Sequence, residues 1–291
     1  MTASAFPAPG QPASSQPAPG QPASGRPPRS AAAGPLAMSV RGFQFWLTNY
    51  RRTWRGSIYS SVLNPVLYLG AMGLGLGTLV DQHHPASLGG VSYLAFLAPG
   101  LMAASAMQTA VGESMYPVYT AVKWQQTYQA AASTPLRPGD IYRGHLMFTG
   151  MRLVMNMIIF LAIMAAFGAV ESPWVLATVP VAVLTGVAFA APLDAFAVLQ
   201  RNDQWFNVIF RFGMIPLFLF SGTFFPISQL PAWIRPVAYV TPLWHGVALC
   251  RALSLGSADV VGALGHVGYL LGLAALGLAA GQRSYQRRLH V

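Results

Sequence analysis

Six stretches of the chain, at about 57–80, 91–112, 146–169, 174–199, 205–225 and 260–281, are almost wholly apolar. Each is long enough to cross a hydrocarbon core, which takes roughly 20 residues of helix. Backbone N–H and C=O groups find no water there, so such runs are confined to helices that satisfy their own hydrogen bonds. The predicted fold class is an all-α integral membrane protein with six transmembrane helices. Composition agrees: 54% of the 291 residues are hydrophobic and 8% charged, against roughly 25% charged in an ordinary soluble domain. Pro65, Pro99, and Pro180 with Pro192 predict kinks in the first, second and fourth helices. Gly73 and Gly77 allow a neighbouring helix to approach the first closely.

Residues 1–38 carry PAPGQPAS twice, at 7–14 and 17–24, among Pro, Ala, Gly, Ser and Gln that cannot bury a core. They read as a disordered cytosolic tail. No continuous apolar segment precedes residue 56, so no signal peptide is predicted. From 39 to 56, Val40, Phe43, Leu47, Tyr50 and Trp54 recur at spacings of 3, 4, 3 and 4, with Arg41, Arg51, Arg52 and Arg55 off the stripe. That pattern predicts an amphipathic helix in the membrane interface, and it also fits the start of the first spanning helix. Residues 57–291 form the transmembrane domain, with a short cytosolic C-terminal end.

The chain carries 17 Lys and Arg against 7 Asp and Glu. Such an excess suits nucleic acid or an anionic membrane face, and the apolar runs decide for membrane lipids and against nucleic acid. With the N-terminus inside, cytosolic segments hold Arg26, Arg29, Arg41, Arg51, Arg52, Arg55, Lys123, Arg137, Arg143, Arg201, Arg283, Arg287 and Arg288, thirteen of the 17. External segments hold Arg235 and Arg251, while Arg152 and Arg211 fall inside spans. Basic segments stay cytosolic, so both termini are expected on that side of the cytoplasmic membrane. The one cysteine, Cys250, leaves no intramolecular disulfide and no Cys-based zinc cage.

The largest external element contains FSGTFFPISQLPAWIRPVAYVTPLWHG, Phe220 to Gly246, apolar yet carrying Pro226, Pro231, Pro236 and Pro242. Ser228 predicts the cap of a short helix through Gln229, Leu230 and Trp233 that Pro236 ends or kinks. Thr241-Pro242 is the start signal for a second, reaching Arg251. Trp233, Ile234, Val237, Tyr239, Val240, Leu243 and Trp244 favour an external re-entrant helical hairpin dipping into the outer leaflet over a plain loop.

Between the second and third spans, Trp124, Tyr128 and Ala131 recur at i, i+4 and i+7, which predicts a short cytosolic helix with one aromatic face. Pro135 disfavours helix at Thr134, Arg137-Pro138-Gly139 turns the chain, and Asp140 is placed to cap the third span. The stripe fits a docking surface for another protein, and equally a helix lying back on the membrane face.

Two stretches carry a resemblance. Trp124-Gln125-Gln126-Thr127-Tyr128 with Thr134-Pro135-Leu136 and Gly139-Asp140-Ile141 is the first. Phe220-Ser221-Gly222-Thr223-Phe224-Phe225-Pro226 with Leu230-Pro231, Trp233, Thr241-Pro242-Leu243 and His245 is the second. Over roughly residues 40 to 285 the chain resembles permease subunits of the ABC-2 type, close to nodulation-type lipo-oligosaccharide exporters and daunorubicin-resistance permeases of actinobacteria. The resemblance implies a homodimer of six-helix subunits, each joined by a separate nucleotide-binding ATPase that holds ATP and Mg. It implies that the 121–134 helix couples to that ATPase through Lys123, Trp124, Gln125, Tyr128, Pro135, Leu136 and Asp140. The hairpin, with Phe224, Pro226, Leu230, Pro231, Trp233, Pro242 and His245, would cap the translocation path. Antibiotics and glycolipids are the implied cargo.

This chain is not expected to hydrolyse ATP, because a P-loop needs Gly-Lys-Ser or Gly-Lys-Thr and its only lysine stands in Val122-Lys123-Trp124. No catalytic residue, metal site or cofactor of its own is predicted. Asp81, His83 and His84 form the one clustered metal-like set and read as chance polar residues of an outer loop. His145 and His266 read as interfacial or packed. Glu113, Arg152, Asp194 and Arg211 all fall near the inner ends of helices, where an unpaired charge is costly, and two acids with two bases at similar depth invite pairing. Two rival functions stand against export: a secondary transporter driven by protons or sodium, which needs a midplane ion site or inverted repeats, and an intramembrane transferase using Asp81, His83 and His84.

Overall fold

A computed structural model describes residues 34–83 and 90–289, with side chains at all but a few of them. No strand occurs among the described residues. Helix α1 (Pro35–Tyr68) shows no break at residue 56, passes through a π-helical stretch at Leu69–Leu76, and continues as α2 (Gly77–His83). The expected interfacial helix and the first span are therefore one rod, of which Leu36–Val80 is long and apolar enough to cross a membrane. Packing explains the continuity. The buried or half-buried face is Ser39, Gly42, Phe43, Trp46, Leu47 and Tyr50, turned from the predicted stripe so that Val40 and Trp54 are exposed. That face lies on helix α6 (Pro138–Ala166), with Trp46 stacked on Phe148 at 5.8 Å between ring centres. Of the glycine pair, Gly73 meets the Leu94 side chain, the close approach that the spacing predicts.

Helix α3 (Tyr93–Ser114) is the buried axis. Ser92 caps it, its hydroxyl accepting the Ala95 N–H at 3.2 Å. Ala95, Ala98, Ala103, Ala104, Ala106 and Ala110 are all fully buried, and such small side chains let neighbouring helices close in. The axis runs on into α4 (Tyr116–Lys123), and the chain then turns through Gln126, whose φ of 53° is left-handed, into α5 (Thr127–Ala132). The expected single aromatic face is thereby broken: Trp124 is 65% exposed while Tyr128 is buried. One left-handed residue between them puts the two rings on opposite sides.

Helix α6 starts at Pro138 rather than near 146, because the predicted turn is its own first turn. Pro138 has the φ that a first helical position needs, and Asp140 accepts the Arg137 N–H at 3.3 Å and pairs with Arg143 at 2.7 Å. After a 3-10 turn at Pro173–Ala177, α7 (Thr178–Ala197) packs on α3, α6 and the final long helix. The fifth apolar run forms α8 (Gln204–Val208), a π-helical stretch Ile209–Met214, and α9 (Ile215–Phe220). It ends at Phe220 instead of 225, because Gly222 takes φ +80°, a conformation L side chains rarely adopt. Five helices among the described residues are thus of spanning length, and Gln204–Phe220 is a shorter apolar sixth.

The proline-rich segment folds into a 3-10 turn at Ile227–Gln229, α10 (Arg235–Val240) and α11 (Pro242–Ser254), followed by α12 (Val260–Leu289). Pro236 sits in the first turn of α10 and so begins that helix instead of ending one. Thr241 caps α11 as expected, accepting the Trp244 N–H at 3.3 Å. Ile227, Leu230 and Ala238 form a small buried cluster with Ile234 and Trp244 packed against it. Trp233 and Val237 stay exposed.

Candidate functional site

At the α5 end of the bundle, Lys123, Trp124, Gln125 and Pro135 are exposed, and Leu136 is half-buried. Trp124 is steadied by an edge contact with Tyr119, ring centres 5.6 Å apart. Tyr128 and Asp140 face inward, so the presented surface is the α4–α5 elbow and not a helix face.

A polar ladder crosses the interior between α1, α3 and α6. The Ser61 hydroxyl donates to Asn156 Oδ1 at 2.7 Å, and Asn156 Nδ2 donates to Thr109 Oγ1 at 3.1 Å. One turn along, Arg152 Nε pairs with Glu113 Oε1 at 2.9 Å, and its Nη1 donates to the Tyr50 hydroxyl at 2.8 Å. The expectation of charge pairing holds for Glu113 and Arg152. It fails for Arg211, which is exposed on its π-helical stretch, and Asp194 takes a different partner. The ladder forms the floor of a groove of about 790 Å³ that Ser105, Gln108 and Asn64 also line. Tyr68, Phe206, Phe210 and Phe218 supply its aromatic walls. The sequence signals Glu113 and Arg152 by their charge, and the uncharged members less plainly. Their signal was the four-residue spacing Ser105, Thr109, Glu113 on α3 and Arg152, Asn156 on α6, which puts each set on one helix face.

Behind α5 lies a second cluster. His145 Nε2 is 3.6 Å from Asp194 Oδ1, both side chains wholly buried, and 3.1 Å from the Glu113 carbonyl. His145 is thus packed, but beside an acid. Among the described residues, His145 Nδ1 and the Thr149 hydroxyl are buried without a hydrogen-bond partner. Each such atom costs about 1–3 kcal/mol. Burial, and then the nearby Asp194, push the Tyr128 hydroxyl well above its ordinary range.

At the other end, Arg251 of α11 donates to the carbonyls of Phe96 at 3.0 Å and Gly222 at 2.8 Å and covers the Phe96 ring at 3.7 Å. It ties the loop after α9 to α3. His245 Nδ1 and His266 Nδ1 are 2.8 Å apart, and the His245 ring stacks on Tyr269 at 3.9 Å. One ring donates and the other accepts, so protonating both breaks the contact. Burial, and then His266, push His245 down to about 4 from its ordinary 6.5. A lowered histidine binds fewer protons folded than unfolded, so its contribution is complete above about pH 6.5 and lost toward pH 4. The melting temperature of the detergent-purified protein is expected to be level from pH 7 to 8 and to fall between these limits, with a shallower fall in His245→Gln. The Asp81, His83 and His84 set lies outside the described side chains.

Five long apolar helices, three of which line a polar-floored groove, define a multi-pass membrane protein. The ABC-2 type transporter family model matches residues 38–255, and the chain belongs to that family, whose members are the membrane permease subunits of ABC transporters. Nodulation protein J of Rhizobium leguminosarum bv. trifolii is 33% identical over 232 residues, 77% of this chain and 86% of that one. Nodulation protein J of Rhizobium meliloti (strain 1021) is 30% identical over 243 residues, 81% and 88% of the two chains. The inner membrane transport permease YadH of Escherichia coli (strain K12) is 23% identical over 212 residues, 72% and 80%.

Proposed function

We propose that this chain is the membrane subunit of an exporter that moves an amphiphile, a drug, lipid or lipid-linked saccharide, across the cytoplasmic membrane. A separate ATPase binding ATP and Mg supplies the energy. The observation that carries this reading is the groove: hydroxyl and amide groups inside an otherwise apolar bundle, with the one ion pair neutral overall and aromatic walls beside it. Such a lining suits an uncharged polar head whose apolar tail remains among the helices. Tyr59, Leu63 and Leu67 on α1 and Phe212 and Ile215 on the 204–220 segment are exposed apolar residues of elements that line it, and a second copy of the chain would cover them. Both termini and the α4–α5 elbow face the cytosol in this reading, and the α10–α11 hairpin faces out.

The elbow is the ATPase contact. Trp124 is exposed and Tyr128 is not, so Trp124→Asp is expected to reduce co-purification of the ATPase at least tenfold with the permease's melting temperature unchanged. Undiminished co-purification would remove the elbow from the interface. Export should also survive ionophores that collapse proton and sodium gradients, which a gradient-driven carrier would not.

A further inference from the structure

Glu113 with Arg152, and Thr109 with Asn156 and Ser61, are successive rungs of the polar ladder, each bonded within itself. A third rung follows at the same four-residue step along α3, and it is open. Ser105 and Gln108 of α3 share the groove with Asn64 of α1. Among the described residues the side chains of these three hydrogen-bond to nothing, although Asn64 is exposed and the other two are half-buried. The same three line a smaller recess beside the groove, with Phe160 and the rings of Tyr68 and Phe218, which meet at 6.0 Å. Ser105 and Gln108 lie near the middle of the Tyr93–Lys123 span, far from the ends where a membrane helix meets water.

An amide left to itself in apolar surroundings is costly. A purely structural rung would pair its own members, as the other two do, or carry apolar side chains like Leu101 and Phe160 of the same recess. Open amides on a groove instead keep their bonding capacity for something that enters it. A carboxamide offers acceptor and donors without charge, so its complement is a group that has both, a hydroxyl or another amide. A charged head fits poorly. Among the described residues, Glu113 and Arg152 are the only acid and base that line the groove, and they neutralise one another. A phosphate or ammonium would therefore reach the third rung with no counter-charge to offset its desolvation. We propose that Asn64, Ser105 and Gln108 are the specificity-determining residues of the groove, hydrogen-bonding the head of the cargo and selecting a neutral head rich in hydroxyl or amide groups. The proposal deepens, and rests on, the reading of the groove as the cargo's path.

The test uses the full-length permease in phosphatidylcholine nanodiscs, with Cys250→Ala and a reporter Ser60→Cys in the groove, one turn from Asn64 on α1. Three amphiphiles with the same tail, dodecyl glucoside, dodecyl phosphate and dodecyltrimethylammonium, are added at equal low mole fraction, and the rate of maleimide labelling is read. Dodecyl glucoside is expected to slow labelling at least fivefold, and the two charged amphiphiles less than twofold. Asn64→Leu and Gln108→Met keep the side-chain volume and remove the amide. Each should raise the glucoside concentration for half protection about fivefold, the worth of one hydrogen bond, with no fall in melting temperature. Asn64→Gln, which keeps the amide, should stay within twofold of the parent. Equal protection by all three amphiphiles, or unchanged protection in both amide-less variants, would overturn the proposal and leave the exporter reading, tested by ionophore-resistant export, intact. A lowered melting temperature in those variants would also overturn it, by showing that the amides already hold the bundle together. So would a reporter that maleimide does not reach even without amphiphile, because a second copy would then fill the groove. Export that ionophores abolish would sink the exporter reading itself, and this inference with it.

Discussion

Arg152→Met is expected to destabilise the protein by about 3–5 kcal/mol, the cost of breaking a buried ion pair by removing one partner. The Arg152 and Glu113 side chains are 8% and 21% exposed and 2.9 Å apart. Without the guanidinium, the Glu113 carboxylate loses its ion-pair partner and the Tyr50 hydroxyl loses its donor. Glu113→Gln should cost a similar amount, since it leaves Arg152 uncompensated. The double variant Glu113→Gln, Arg152→Met should recover most of the loss, because a neutral pair of similar volume carries no desolvation penalty. Denaturant titration of the four proteins in one detergent checks the cycle; additive losses would show that the two side chains act independently. The ladder residues beside the pair line the groove, so the double variant also separates stability from transport.

Gly144→Val should produce the largest loss among the glycines of α6. A Cβ at Gly144 would stand 2.8 Å from the Gly42 Cα and carbonyl carbon and from the Phe43 nitrogen. Those atoms are backbone, which cannot rotate aside, so α1 must lift off α6 together with Trp46 and Ser39. Overpacking costs about 1–3 kcal/mol where side chains can give way, and more where they cannot. A sharp fall in the yield of monodisperse protein is expected. Gly150→Val, on the same helix with open space around it, should be close to neutral. Equal losses at the two positions would mean that helix propensity, not the α1–α6 crossing, governs the effect.

Much of this architecture was legible because burial in lipid constrains composition over long windows. Each of the six apolar runs corresponds to a helix, and the Thr241 cap and the Asp140 bond at the start of α6 follow from local chemistry. Errors arose where one residue's backbone conformation overrode a periodic pattern. Gln126 turned left-handed and split Trp124 from Tyr128, and Gly222 ended the fifth helix early. Pro236 fits a helix start as readily as a helix end, and only the chain on either side decides between them.

The sequence by itself determined that the chain is a bundle of membrane helices, which stretches lie between them, and that Glu113 and Arg152 fall near helix ends where a charge calls for a partner. These properties depend on single segments and their transfer from water. Only the tertiary structure decided that Arg152 takes Glu113 while Arg211 stays outside, and that His145 lies against Asp194. It alone joined Ser61, Asn156 and Thr109 across three helices into the floor of a groove. The physical reason is that pairing depends on which helix faces meet, and small residues set this: alanines along α3, and Gly42 against Gly144 where α1 crosses α6.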